Sequence, residues 1–143
     1  MRTSAVFGWV LSLALLVGIA GPLFGTCTQG DDDGWLAGLL VFAPIGLIGL
    51  AFAAKGAKLG PRYSWLAAPH VATLILGGQL IPLYFSKTTI GGLHVCSARE
   101  DGGFTDTPSL LQQLWAPTWL VILLILGYVV FLYWRKDRAF QNG

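Results

Sequence analysis

The sequence is poor in charge. Asp, Glu, Lys and Arg together make up 11% of its 143 residues, against roughly 25% in an ordinary soluble domain. Cysteine is scarce as well: Cys27 and Cys96 stand alone. Two cysteines so far apart exclude a Cys-x-x-Cys pair with the second pair needed to relay electrons, and no Cys-x-x-Cys-His haem attachment exists. Also missing are a phosphate-cradling glycine loop, a G-x-S-x-G elbow, an H-E-x-x-H pair and paired carboxylates within the apolar segments. A catalytic claim lacks residues, so the chain is expected not to be an enzyme and to need no cofactor. No internal repeat is visible.

What the sequence has is apolar length. It is 55% hydrophobic with a mean hydropathy of +0.66, and its apolar runs cover about residues 5–24, 36–54, 64–85 and 116–134. Each suffices to cross a bilayer as a helix. The chain therefore reads as an all-α membrane protein, one integral domain built as an up-down four-helix transmembrane bundle, with loops at about residues 25–35 and 86–115. The first run is longer than the apolar core of a signal peptide and no A-x-A site follows it, so it reads as an uncleaved helix.

The few charges are largely sorted by side, with Lys87 and Arg99 the basic exceptions in an acid-bearing loop. Arg2, Lys55, Lys58, Arg62, Arg135, Lys136 and Arg138 fall at the termini and the middle loop, whereas Asp31, Asp32, Asp33, Glu100, Asp101 and Asp106 fall in the other two loops. Basic residues are retained in the cytoplasm, which puts both termini there and both acidic loops outside. A multi-pass protein of the bacterial inner membrane is the expected setting. Because retention explains the basic residues and they form no stripe, nucleic acid is not an expected partner.

The outer loops carry the cysteines, in a compartment that is oxidising. Cys27 and Cys96 are expected to form a structural disulfide, worth at most about 4 kcal/mol in the chain-entropy model because inserted helices already restrict the unfolded state. Asp31, Asp32 and Asp33 are contiguous rather than alternating, so they are not a calcium loop. His94, Cys96 and the neighbouring acids lack diagnostic metal-ligand spacing, and no metal site is expected. Thr88–Val95, with Gly91 and Gly92, suits a small hairpin or an extended segment. Thr107 and Pro108, followed by Leu110, Leu111, Leu114 and Trp115, signal a short interfacial helix before Pro117 opens the last span.

Polar content inside the membrane is concentrated in the third span. His70 is the one ionisable side chain within any apolar run. Such groups are functional candidates by default, although a hydrogen bond to a neighbouring helix accounts for one equally well. Thr73 and Gln79 complete the candidate polar site. His70, Thr73, Leu74, Gly77 and Ile81 share a helix face, while nine steps of roughly 100° put Gln79 on the opposite side, where it needs its own hydrogen-bond partner. Trp35, Tyr84, Trp115 and Trp119 are placed to form an outer aromatic belt, and the fourth span reads as a lipid-facing anchor.

With no charged pathway and no soluble domain, the first functional expectation is an accessory, assembly or stabilising subunit of a larger membrane complex. Contacts with other membrane subunits or with further copies are expected at Gly46, Gly49, His94, Arg99, Leu110 and Trp115. A small homo-oligomeric channel or carrier for a neutral or lipidic solute is the alternative, and a haem- or quinone-contacting component using His70 the second alternative.

Overall fold

A computed structural model describes residues 2–24, 33–55, 65, 67–100 and 107–141. Among them every regular element is helical and no strand occurs. Four helices are long and apolar enough to cross a membrane: Thr3–Phe24, Gly34–Lys55, Ala68–Ile90 and Leu110–Arg135, here spans one to four. The chain is a multi-pass membrane protein. Its outward faces carry Val10, Val17, Leu40, Val41, Ile48, Val121, Leu124 and Ile125, an apolar surface that only lipid or protein can cover.

Span one packs against spans two and three, and span four against the same two, leaving spans two and three on a diagonal. Small residues set the closest approach. A side chain at Gly38 would collide with the Gly18 carbonyl, one at Gly46 with Leu15, and one at Gly49 with the Ser12 backbone. Spans one and two thus meet backbone to backbone, the usual basis of helix association in lipid. Large side chains fill the other diagonal, where Trp119 of span four lies against Gly18 and Trp9 of span one lies against Tyr133.

Prolines inside the spans are accommodated by local adjustments. Before Pro44 the helix widens into a π-turn at Gly38–Phe42, with the Ala43 N–H reaching back to the Gly38 carbonyl, which makes room for the ring. Pro22 has no N–H to give the Gly18 carbonyl, and the hydrogen that stands in place of a side chain at Gly38 points toward that oxygen.

Two expectations for the outer loop are overturned. Thr88–Val95 is neither hairpin nor extended: span three continues through a π-turn at Phe85–Ile90. The Thr88 hydroxyl donates to the Tyr84 carbonyl at 2.7 Å, so the β-branched residues remain in the helix by bonding its own backbone. Gly91 and Gly92 end that helix rather than turn a hairpin. Gly92 sits at φ +66°, and the Leu93 N–H returns to the Lys87 carbonyl at 3.0 Å, the closure that a left-handed glycine permits.

No separate interfacial helix forms from Thr107 to Trp115. Leu110 instead begins one helix that runs through Pro117 to Gln141. Ser109 accepts the Gln112 N–H at 3.4 Å as the cap. Continuity at Pro117 has a physical cause: proline cannot donate to the Gln113 carbonyl, and the Thr89 hydroxyl of span three does so instead, at 2.8 Å. The loop does contain a short helix, Val95–Glu100, but it is docked on the bundle. Its first N–H, from Val95, donates to Gln112 Oε1 at 3.0 Å, and Lys87 Nζ donates to its Ala98 carbonyl at 2.9 Å.

The fourth span is more than an anchor. Trp115, Ala116, Trp119, Ile122, Leu123, Leu126 and Val129 form a buried stripe along it. Nor do the outer aromatics form a belt, because Trp35, Tyr84, Trp115 and Trp119 all lie inside the core.

Candidate functional site

The buried face of span three carries His70, Thr73, Gly77, Ile81 and Tyr84. Thr73 donates to the Pro69 carbonyl of its own helix at 2.9 Å, so its polarity is satisfied locally. His70 is 1% exposed and is satisfied across the bundle, with Nε2 lying 2.5 Å from the Ser12 hydroxyl of span one.

A break in span one creates the partner for His70. At Ser12 the helix tightens: the Leu13 N–H bonds the Val10 carbonyl at 3.1 Å, and Leu15 and Leu16 likewise reach back three residues. The Trp9 carbonyl, which Leu13 would serve in a regular helix, receives the Ser12 hydroxyl at 2.9 Å. The Ser12 hydroxyl therefore lies between the Trp9 carbonyl and His70 Nε2, within hydrogen-bond distance of both.

All four spans meet at this cluster. The Trp9 ring stands edge-on to His70 at 4.7 Å and edge-on to Tyr133 of span four at 5.4 Å, while Gly49 of span two lets its backbone reach Ser12. Such edge-on aromatic contacts contribute about 0.5–1.5 kcal/mol each. The buried Ser12–His70 hydrogen bond joins spans one and three.

The remaining candidates are placed as follows. Gln79 lies on the opposite side of span three, exposed and away from His70 and Thr73. Gly46 and Gly49 are covered by span one. His94 is buried just before the docked helix Val95–Glu100, and Trp115 is wholly buried beside Tyr84, ring centres 5.0 Å apart. Leu110 is 70% exposed. The side chains of Arg99 and Asp33 lie outside the described residues, as do Cys27, Asp31 and Asp32. Cys96 is buried, and no cysteine among the described residues is free.

Ser12, Trp9 and Tyr133 escape a search for chemical motifs. A signal for Ser12 existed all the same: it is the one hydroxyl residue within the first apolar run, as His70 is the one ionisable residue of the third. The chain matches no protein-family model, no curated protein and no solved structure.

Proposed function

We propose that this chain is a noncatalytic accessory, assembly or stabilising subunit of a larger membrane protein complex. The observation that carries this reading is the division of polar groups in span three: His70 is enclosed and bonded to Ser12, while Gln79 is turned outward at mid-span. The enclosed polar groups of span three are engaged within the bundle, and Gln79 is the polar group offered to a neighbour. Charge sorting supports cytoplasmic termini, and the short length and loops favour a bacterial inner-membrane setting. Within this reading Cys27 and Cys96 are joined, tying the two outer loops. Support for the bond comes from the burial of Cys96 and the absence of a free cysteine among the described residues.

A small homo-oligomeric channel or carrier is the second reading. The outward Gln79 favours it, whereas the enclosed His70 and Thr73 are poorly placed to line a path between copies. A haem- or quinone-contacting role for His70 through Nε2 requires that atom to leave Ser12. The test is purification of the tagged chain from native membranes in mild detergent, with identification of all copurifying proteins and the mass of the complex. Stoichiometric partner proteins are expected; a chain isolated only with itself would overturn the accessory reading.

A further inference from the structure

Span three is the least apolar and least covered of the four spans. Its outward face repeats at steps of four and three: Ala68, Ala72, Ile75, Gln79, Pro82 and Ser86 are all exposed. That is the seam of a left-handed helix pair. Apart from Ile75, the seam is made of small and polar residues, whereas the other outward faces present mostly Val, Leu, Ile and Phe. It is small in cross-section and polar at its centre, as helix interfaces in membranes are.

Two observations on this face stay unexplained within one chain. Gly78 is flanked by nothing: a side chain there would meet no atom within 4 Å. Its neighbour Gly77, by contrast, has Leu123 and Ile19 against it, and Gly18, Gly38, Gly46 and Gly49 are each held small by the chain itself. The second observation is Gln79. It lies midway along Ala68–Ile90, and its side chain makes no hydrogen bond among the described residues. In hydrocarbon no water is present to satisfy the amide, and an unmade hydrogen bond there is costly. Three residues beyond Gln79, Pro82 has no N–H to offer the carbonyl of the adjacent Gly78.

The geometry points to a second copy of this chain as the occupant, with the two span-three helices side by side and Gln79 paired with Gln79 of the other copy. An amide side chain has both donor and acceptor, so it is complementary to itself across a two-fold axis. Copies inserted with the same topology hold Gln79 at the same depth, and a two-fold along the membrane normal brings the two amides face to face. Gly78, Ala72 and Ala68 let the backbones approach to the distance this bond requires. Self-pairing goes beyond the accessory role and stands or falls separately from it.

The experiment uses the full chain in lipid vesicles, with self-association read by energy transfer between labelled copies at graded protein-to-lipid ratios. Wild type is expected to dimerise. Gln79→Leu should weaken the dimer roughly fivefold to thirtyfold, the effect of one interhelical amide pair at about 1–2 kcal/mol, and Gln79→Asn should retain much of it. Because Gln79 is exposed and makes no side-chain hydrogen bond among the described residues, unfolding of Gln79→Leu in detergent should match wild type. Ile75→Cys should crosslink between copies on oxidation, and Val121→Cys, on the outward face of span four, should not. A monomeric wild type, or a dimer unaffected by Gln79→Leu, would overturn the proposal. So would wild type that stays monomeric alone yet captures a different membrane protein through Gln79, an outcome that leaves the accessory reading intact.

Discussion

His70 and Ser12 share a buried hydrogen bond between spans three and one, and Ser12 also reaches the Trp9 carbonyl. Removing either leaves the other's polar atom buried, since Ser12 is 0% and His70 1% exposed. Ser12→Ala is expected to cost roughly 0.6–2 kcal/mol, the range for interhelical hydrogen bonds in membranes. Adding His70→Ala to that variant should cost less than it does in wild type, because the shared bond is already lost. Unfolding in mixed micelles across the four variants checks this, and strictly additive losses would refute the pairing. Glycines show the same dependence on neighbours. Gly38 and Gly78 are the same residue type in similar apolar helices, yet one is pressed against a carbonyl and the other faces outward with nothing beside it.

At the scale of the element, the spans depend on one another to remain continuous. Pro117 lies well inside the Leu110–Gln141 helix, and the Thr89 hydroxyl supplies the hydrogen bond that proline cannot. Thr89→Val is therefore expected to destabilise the chain by about 1 kcal/mol, the net value of one such bond. In a Pro117→Ala background, where the backbone N–H serves Gln113 directly, the same substitution should cost much less. Equal costs in both backgrounds, measured by thermal unfolding in detergent, would show that Thr89 does not compensate for the proline. Sequence patterns did announce a helix start near Thr107 and Pro108, but Pro117 looked like a boundary because the donor that heals it belongs to another span. Similarly, Gly91 and Gly92 signal a stop in either a hairpin or a helix. Only the hydrogen bonds of Thr88 and Leu93 decide between them.

For the whole molecule, one end of the bundle is closed by docking of the short helix Val95–Glu100 through Gln112 and Lys87. If Cys96 is tied to Cys27, as proposed, that closure gains a covalent link to the end of span one. Intact chain taken from native membranes without reductant should then lack the mass of two hydrogens, and reduction should lower the melting temperature. Two free thiols in such protein would sink the pairing.

Four membrane-spanning helices were legible from the sequence because spanning is a one-dimensional requirement. Each helix must bond its own backbone and present about twenty apolar residues to lipid. The inward stripe of His70, Thr73, Gly77 and Ile81, and the separation of Gln79 from it, were legible for a related reason: the helical period alone fixes which residues share a face. That period does not say which helix a face will meet. Tertiary structure alone placed spans two and three on a diagonal, gave His70 to Ser12, drew Trp115 and Trp119 into the core and left Gln79 outside. Those outcomes depend on contacts between residues far apart in the chain, where packing volume and hydrogen-bond geometry choose among faces that the sequence pattern leaves equivalent.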